Sequence, residues 1–167
     1  DLAEEQLDVL KLATSREIAN DALYLSLIIH MNKAEDSLQN ALNLFSKADL
    51  LKFSQDLDSA EAMYKTLIAE YPNDALVDDA LWNLSEIAIK KKLWDQATGY
   101  LDRILDKYHA DIFADDALFT KAGLYETEYK EASKAMELYQ SLLTNYPSSI
   151  YAAEARRKFR KLRGDKL

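Results

Sequence analysis

Apolar residues recur at steps of three and four along most of the chain. In "AEAMYKTLIAEYP" (residues 60–72), Ala60, Tyr64, Leu67, Ile68 and Tyr71 fall on one stripe. In "ALWNLSEIAI" (80–89), Leu81, Leu84, Ile87 and Ala88 do the same. This spacing matches the 3.6-residue period of an α-helix and not the alternation of a strand. The pattern predicts about nine helices, at roughly 1–12, 15–31, 33–54, 57–71, 75–91, 94–108, 112–128, 131–146 and 149–163. Punctuation agrees. Tyr71-Pro72 and Tyr146-Pro147 end helices, and Asn73 and Ser148 supply caps for the next ones.

The helices repeat. Tyr71, Tyr108 and Tyr146 lie 37 and 38 residues apart. Counted from each Tyr, the same offsets give Ala60, Ala97 and Ala135, then Leu67, Ile104 and Leu142, then Ile68, Leu105 and Leu143, and finally Ala80, Ala117 and Ala155. Ala48, Ser85 and Ala122 form a further small-residue column. Such columns are expected where two helices approach closely. Each unit reads as a helix pair that cannot bury its apolar face alone, so the pairs must stack into an α-solenoid. The expected organisation is one domain over 1–167. Residues 1–40 form a degenerate first repeat, units follow at 41–72, 78–109 and 115–147, and 149–167 form a basic capping helix.

Composition narrows the chemistry. Three Gly and two Pro leave little for tight turns, and the absence of Cys excludes disulfides and thiolate sites. The net charge of −8 is uneven: residues 156–167 carry seven Lys/Arg against Asp165, a net of +6, so the rest carries −14. An acidic body argues against nucleic acid as a partner. The basic end reads as a cap, with contact to an anionic surface or acidic partner as its functional alternative. No apolar run reaches the length of a membrane span. A start at Asp1 leads us to expect a processed piece of a longer chain.

These columns resemble the tetratricopeptide repeat (TPR) family. Leu81, Leu84, Ser85 and Ala88 fall on its first-helix signature, and Ala97, Leu101 and Ile104 on its second, with His109 in the usual proline column. Lys121 departs from the pattern, which expects Leu. The resemblance is good over 41–155 and weaker over 15–40. The Tyr-Pro punctuation is similar to that of bacterial envelope proteins such as outer-membrane assembly lipoproteins and the Tol–Pal coordinator. "ANDALYLSLI … SKADLLKF" is similar to large secreted bacterial repeat proteins with no assigned mechanism, which implies the C-terminal part of such a chain. The resemblance implies a right-handed superhelix and a location in the periplasm or cell envelope, with the cytoplasm still open.

Chemistry-bearing candidates are few. "DDALW" (78–82) returns as "DDALF" (115–119), with a weaker echo "NDALY" at 20–24. Paired aspartates could form a carboxylate site. At the start of a helix they also complement the macrodipole. His109, Asp111, Asp115 and Asp116 superficially resemble metal ligands, but His109 sits in the proline column and Asp111 reads as a helix cap. His30 reads as a residue at a helix C-terminus. Gly99 and Gly123 read as close-packing points, and Gly164 as a helix terminator. No nucleophile constellation, cofactor motif or metal site emerges.

The aromatic column is Tyr24, Phe45, Trp82 and Phe119. The resemblance places these residues on the concave groove where the family binds peptides, and adds Asp49, Lys52, Glu86, Ile89 and Glu126. Rings flanked by acids would suit an extended partner with apolar anchors and basic residues. The same rings could instead fill the core. The expected function is a non-catalytic scaffold for a protein or peptide partner. The alternatives are a self-associating structural module and, third, an enzyme with an unrecognised site near His109. The sequence does not specify an oligomeric state.

Overall fold

A computed structural model describes residues 36–165, with side chains from residue 40 onward. Its elements are helices: α1 (Asp36–Phe53), α2 (Leu57–Glu70), α3 (Val77–Lys90), α4 (Trp94–Lys107), α5 (Ala114–Thr127), α6 (Ala132–Asn145) and α7 (Ala152–Arg163). The helices expected at 1–12 and 15–31, with Tyr24 and His30, lie outside the described residues. Each helix packs on the next along the chain, and the short connections make neighbours antiparallel. The result is an all-α solenoid of stacked helix pairs.

The core follows the repeat. Ala60, Ala97 and Ala135 are fully buried, as are Leu67, Ile104 and Leu142. One cluster runs through α1–α4 and includes Ala117 and Leu124 of α5. A second joins α5 to α6 and α7 through Leu118 and Ala122. Helix α5 thus buries opposite faces in two clusters, which makes the core continuous from repeat to repeat.

The connections repeat as closely as the helices. After each second helix, Asp74, Asp111 and Ser149 donate backbone N–H to the carbonyls of Tyr71, Tyr108 and Tyr146 at 3.1, 2.9 and 3.0 Å. Val77, Ala114 and Ala152 then donate back to Asp74, Asp111 and Ser149. His109 is accommodated where its counterparts are Pro72 and Pro147, so proline is not needed to end the helix. This double turn delays α3, α5 and α7 by two or three residues relative to expectation. Their N-caps are Leu76, Phe113 and Tyr151, none with a side-chain cap hydrogen bond. Asn73, Ser148 and Asp111 are therefore not the caps. Asp74 Oδ1 and Ser149 Oγ instead accept from the N–H groups of Leu76 and Tyr151 at 2.9 and 3.1 Å, which fixes the turn and turns an apolar side chain inward. Within pairs, Gln55, Lys92 and Lys130 take left-handed φ of 66°, 58° and 58° after the first helix, a conformation that lets the chain reverse.

Two expectations change. A Cβ at Gly99 or Gly123 would meet nothing within 4 Å, so neither glycine marks a close approach; Gly164, at φ 91°, does cap α7. Lys121 is buried because its stem lies in the column of fully packed Leu84, while its ammonium pairs with Asp102 on α4. A long aliphatic stem with a charged tip serves where a leucine would. At the N-terminal edge the columns diverge: Ile87 and Leu124 are buried, but their counterpart Leu50 is 68% exposed.

Candidate partner-binding surface

The candidate residues stand at steps of four and three on first helices: Phe45, Asp49 and Lys52 on α1, Trp82, Glu86 and Ile89 on α3, Phe119 and Glu126 on α5. Such steps place each set on one helix face. Lys52 Nζ reaches from α1 to Glu86 on α3 at 2.5 Å and also donates to Asn83. Lys158 on α7 reaches Glu126 on α5 at 2.8 Å. These bonds bring consecutive first helices together along the stripe.

The aromatic column divides. Phe45 is 2% exposed and meets Tyr64 edge-on at 5.6 Å; it serves the core and is not available to a partner. Trp82 and Phe119 are half-buried. Trp82 stacks on Phe113 at 5.4 Å, and Phe119 stacks on Tyr151 at 4.5 Å. Phe113 and Tyr151 are the N-cap residues of the following first helix, so each ring packs across a repeat boundary. Leu76, Phe113 and Tyr151 stand five residues after Tyr71, Tyr108 and Tyr146, and this one further column in the alignment carries the signal for the stacks.

The acids are not free either. Asp49 accepts from the Tyr64 hydroxyl at 2.8 Å, and Glu126 from the Tyr139 hydroxyl at 2.7 Å. Burial pushes the Glu126 carboxyl up, but the hydrogen bonds from Lys158 and Tyr139 outweigh it and hold the group below its ordinary range. Burial and the Glu126 carboxylate raise the Tyr139 phenol well above its usual value. Cations thus match Glu86 and Glu126 while Asp49 is held by a neutral hydroxyl, so the stripe is less acidic than the carboxylates by themselves suggest. Gly123, in the register of Asp49 and Glu86, leaves α5 without a side chain there.

The aspartate pairs lie in the first turns of α3 and α5. Asp78 is buried, and burial together with the Asp111 charge raises its pKa. Asp116 is raised by burial despite accepting from the Tyr151 hydroxyl at 2.6 Å. That bond, with burial, pushes the phenol up to about 12. The second aspartate therefore ties one repeat to the next.

His109 is exposed, and its carbonyl accepts from the Tyr146 hydroxyl at 2.8 Å. An open depression of about 370 Å³ adjoins it, lined by Leu105, Leu118, Ser141, Asn145 and Tyr146. Among the described residues, no three His, Cys, Asp or Glu side chains converge to hold a metal ion, and no helix is long and apolar enough to cross a membrane.

The chain is similar to the outer membrane protein assembly factor BamD of Xylella fastidiosa (strain 9a5c), with 25% identity over 138 residues. The match covers 72% of this chain but 47% of that protein, so the chain spans about half the length of the curated relative. The tetratricopeptide repeat model matches residues 42–74, 79–108 and 116–149, together more than half of the sequence. With its helix pairs, repeated turns and repeat-to-repeat stacks, the chain belongs to the tetratricopeptide repeat family.

Proposed function

We propose that this chain is a non-catalytic scaffold of the bacterial envelope that binds a protein or peptide segment along its first-helix stripe. The observation that carries the reading is the geometry of that stripe. Lys52–Glu86 and Glu126–Lys158 tie consecutive first helices, and between them Trp82, Ile89 and Phe119 remain half-buried, next to the bare backbone at Gly123. An extended segment could place apolar side chains against these edges and polar groups against the paired charges. An envelope location rests on the relative being an outer-membrane assembly factor. We read the units at 41–72, 78–109 and 115–147 as the working repeats and 149–167 as their cap.

Because Trp82 and Phe119 also pack on the next repeat, truncating them would mix binding with stability. Ile89→Asp and Glu86→Ala leave those two ring stacks in place, but Ile89 also packs against the repeat core and Glu86 holds Lys52, so each variant is read beside its urea midpoint. Partners captured from an envelope extract should be lost from the Ile89→Asp variant while its helical circular dichroism stays unchanged. An identical captured set from wild type and variant would sink the reading.

Self-association is the second reading. Leu50 and Phe53 of α1 are 68% and 84% exposed, more than a soluble surface usually leaves side by side. Sedimentation equilibrium should then show a mass that rises with concentration and falls back in Phe53→Ser. A mass independent of concentration would end it.

A further inference from the structure

We infer that the outward face of α7 docks on an anionic lipid surface. Helix α7 turns Ala155, Phe159 and Leu162 toward the preceding repeat and leaves Arg156, Arg157, Arg160 and Lys161 exposed. Positions 156/160 and 157/161 are i, i+4 pairs, so the four cations share one face. Little within the chain neutralises them. Arg157 meets Glu154 only at 3.5 Å, and Arg160 meets Asp165 at 3.3 Å. The side chains of Arg156 and Lys161 make no ion pair or hydrogen bond among the described residues. Lys158 and Arg163 are engaged elsewhere, with Glu126 and Asp165.

The shape of this face favours lipid over protein. It is the outer side of one helix and shows no exposed large apolar residue or ring; Ile150, 85% exposed, stands just before the helix. Protein hot spots need anchors that become desolvated in pockets. A sheet of headgroups needs only clustered cations, and a bilayer interface accommodates one projecting isoleucine. Charges further than about 8 Å apart are screened at physiological ionic strength. A surface apposed to α7 therefore meets the local cations and not the acidic repeats behind them.

The test is co-sedimentation of the whole chain with vesicles of phosphatidylcholine, with and without phosphatidylglycerol. Wild type should partition onto the anionic vesicles only, and less so as salt rises. Each surface cation is worth roughly fivefold in partition, so Arg156→Gln/Lys161→Gln should lose about 25-fold and Arg156→Gln/Arg157→Gln/Lys161→Gln about 100-fold. The double variant breaks no ion pair or side-chain hydrogen bond among the described residues, so its fold, checked by circular dichroism, should be intact. Equal partition onto neutral vesicles, or unchanged partition of the variants, would overturn the inference. So would retention on immobilised polyglutamate without vesicle binding, which would assign the face to an acidic protein. Partner capture through Ile89 is a separate readout, and either result can fail without the other.

Discussion

The stack of Phe119 on Tyr151 gives the sharpest test of how the aromatic column is used. Phe119→Ala removes a half-buried ring held at 4.5 Å from Tyr151 and 5.9 Å from Tyr139. Full truncation of a core Phe costs about 3–5 kcal/mol, and partial exposure lowers this to about 2–3 kcal/mol. Of that, the stacked pair accounts for about 0.5–1.5 kcal/mol beyond burial. The share is large in a domain whose total stability is about 5–15 kcal/mol. The assay is urea unfolding followed by circular dichroism for Phe119→Ala, Tyr151→Ala and the double variant. The coupling is the shortfall of the double loss from the sum of the singles. Tyr151→Phe, run alongside, isolates the hydroxyl bond to Asp116, expected at about 1–2 kcal/mol. The slope against urea must stay constant across the set for the cycle to hold. A Phe119→Ala loss below about 0.5 kcal/mol with no coupling would refute the packing role. Combined with lost partner capture, that result would return the ring to the binding surface.

Four further outcomes follow from the same geometry. Lys121→Leu should be neutral or slightly stabilising, since it restores the Leu84 column. Asp102→Ala should cost about 1 kcal/mol by leaving a buried ammonium unpaired. Equal losses in urea would contradict the pairing. The Glu126 carboxyl lies below its ordinary value when folded, so its stabilisation is present above the unfolded value of about 4.3 and is lost as pH falls through the folded one. Glu126→Gln should flatten the decline of the urea midpoint on acidification, and an unaltered pH profile would rule this out. Gly99→Ala and Gly123→Ala should each stabilise by about 0.5–1 kcal/mol, since both sit mid-helix with open space for a Cβ; a drop in melting temperature would reveal a hidden contact. Ile87→Ala should cost about 2–4 kcal/mol while Leu50→Ala, in the same column, costs under about 0.5 kcal/mol. Similar melting shifts for the two would mean that Leu50 is covered.

The helices and their pairing were legible in the sequence because period and small-residue columns are local, repeated signals. Second-helix starts at Leu57, Trp94 and Ala132 fall within a residue of expectation, since a single left-handed residue leads straight into each. First-helix starts come later than composition suggests because the turns at Asp74, Asp111 and Ser149 absorb residues that composition alone assigns to helix.

The candidate stripe was legible as positions and not as chemistry. Steps of four and three place Trp82, Glu86 and Ile89 on one face whatever surrounds them. Whether a ring there meets a partner or the next repeat depends on Phe113 and Tyr151, more than thirty residues away. The cations that balance Glu86 and Glu126 are just as distant, at Lys52 and Lys158. Periodicity along one helix carries no information about which side chain a neighbouring helix brings opposite it. The sequence by itself therefore determined the repeat and the face. Only the stacking of one repeat on the next decided that Phe45 is core, that the carboxylates are paired and that Lys121 can be buried.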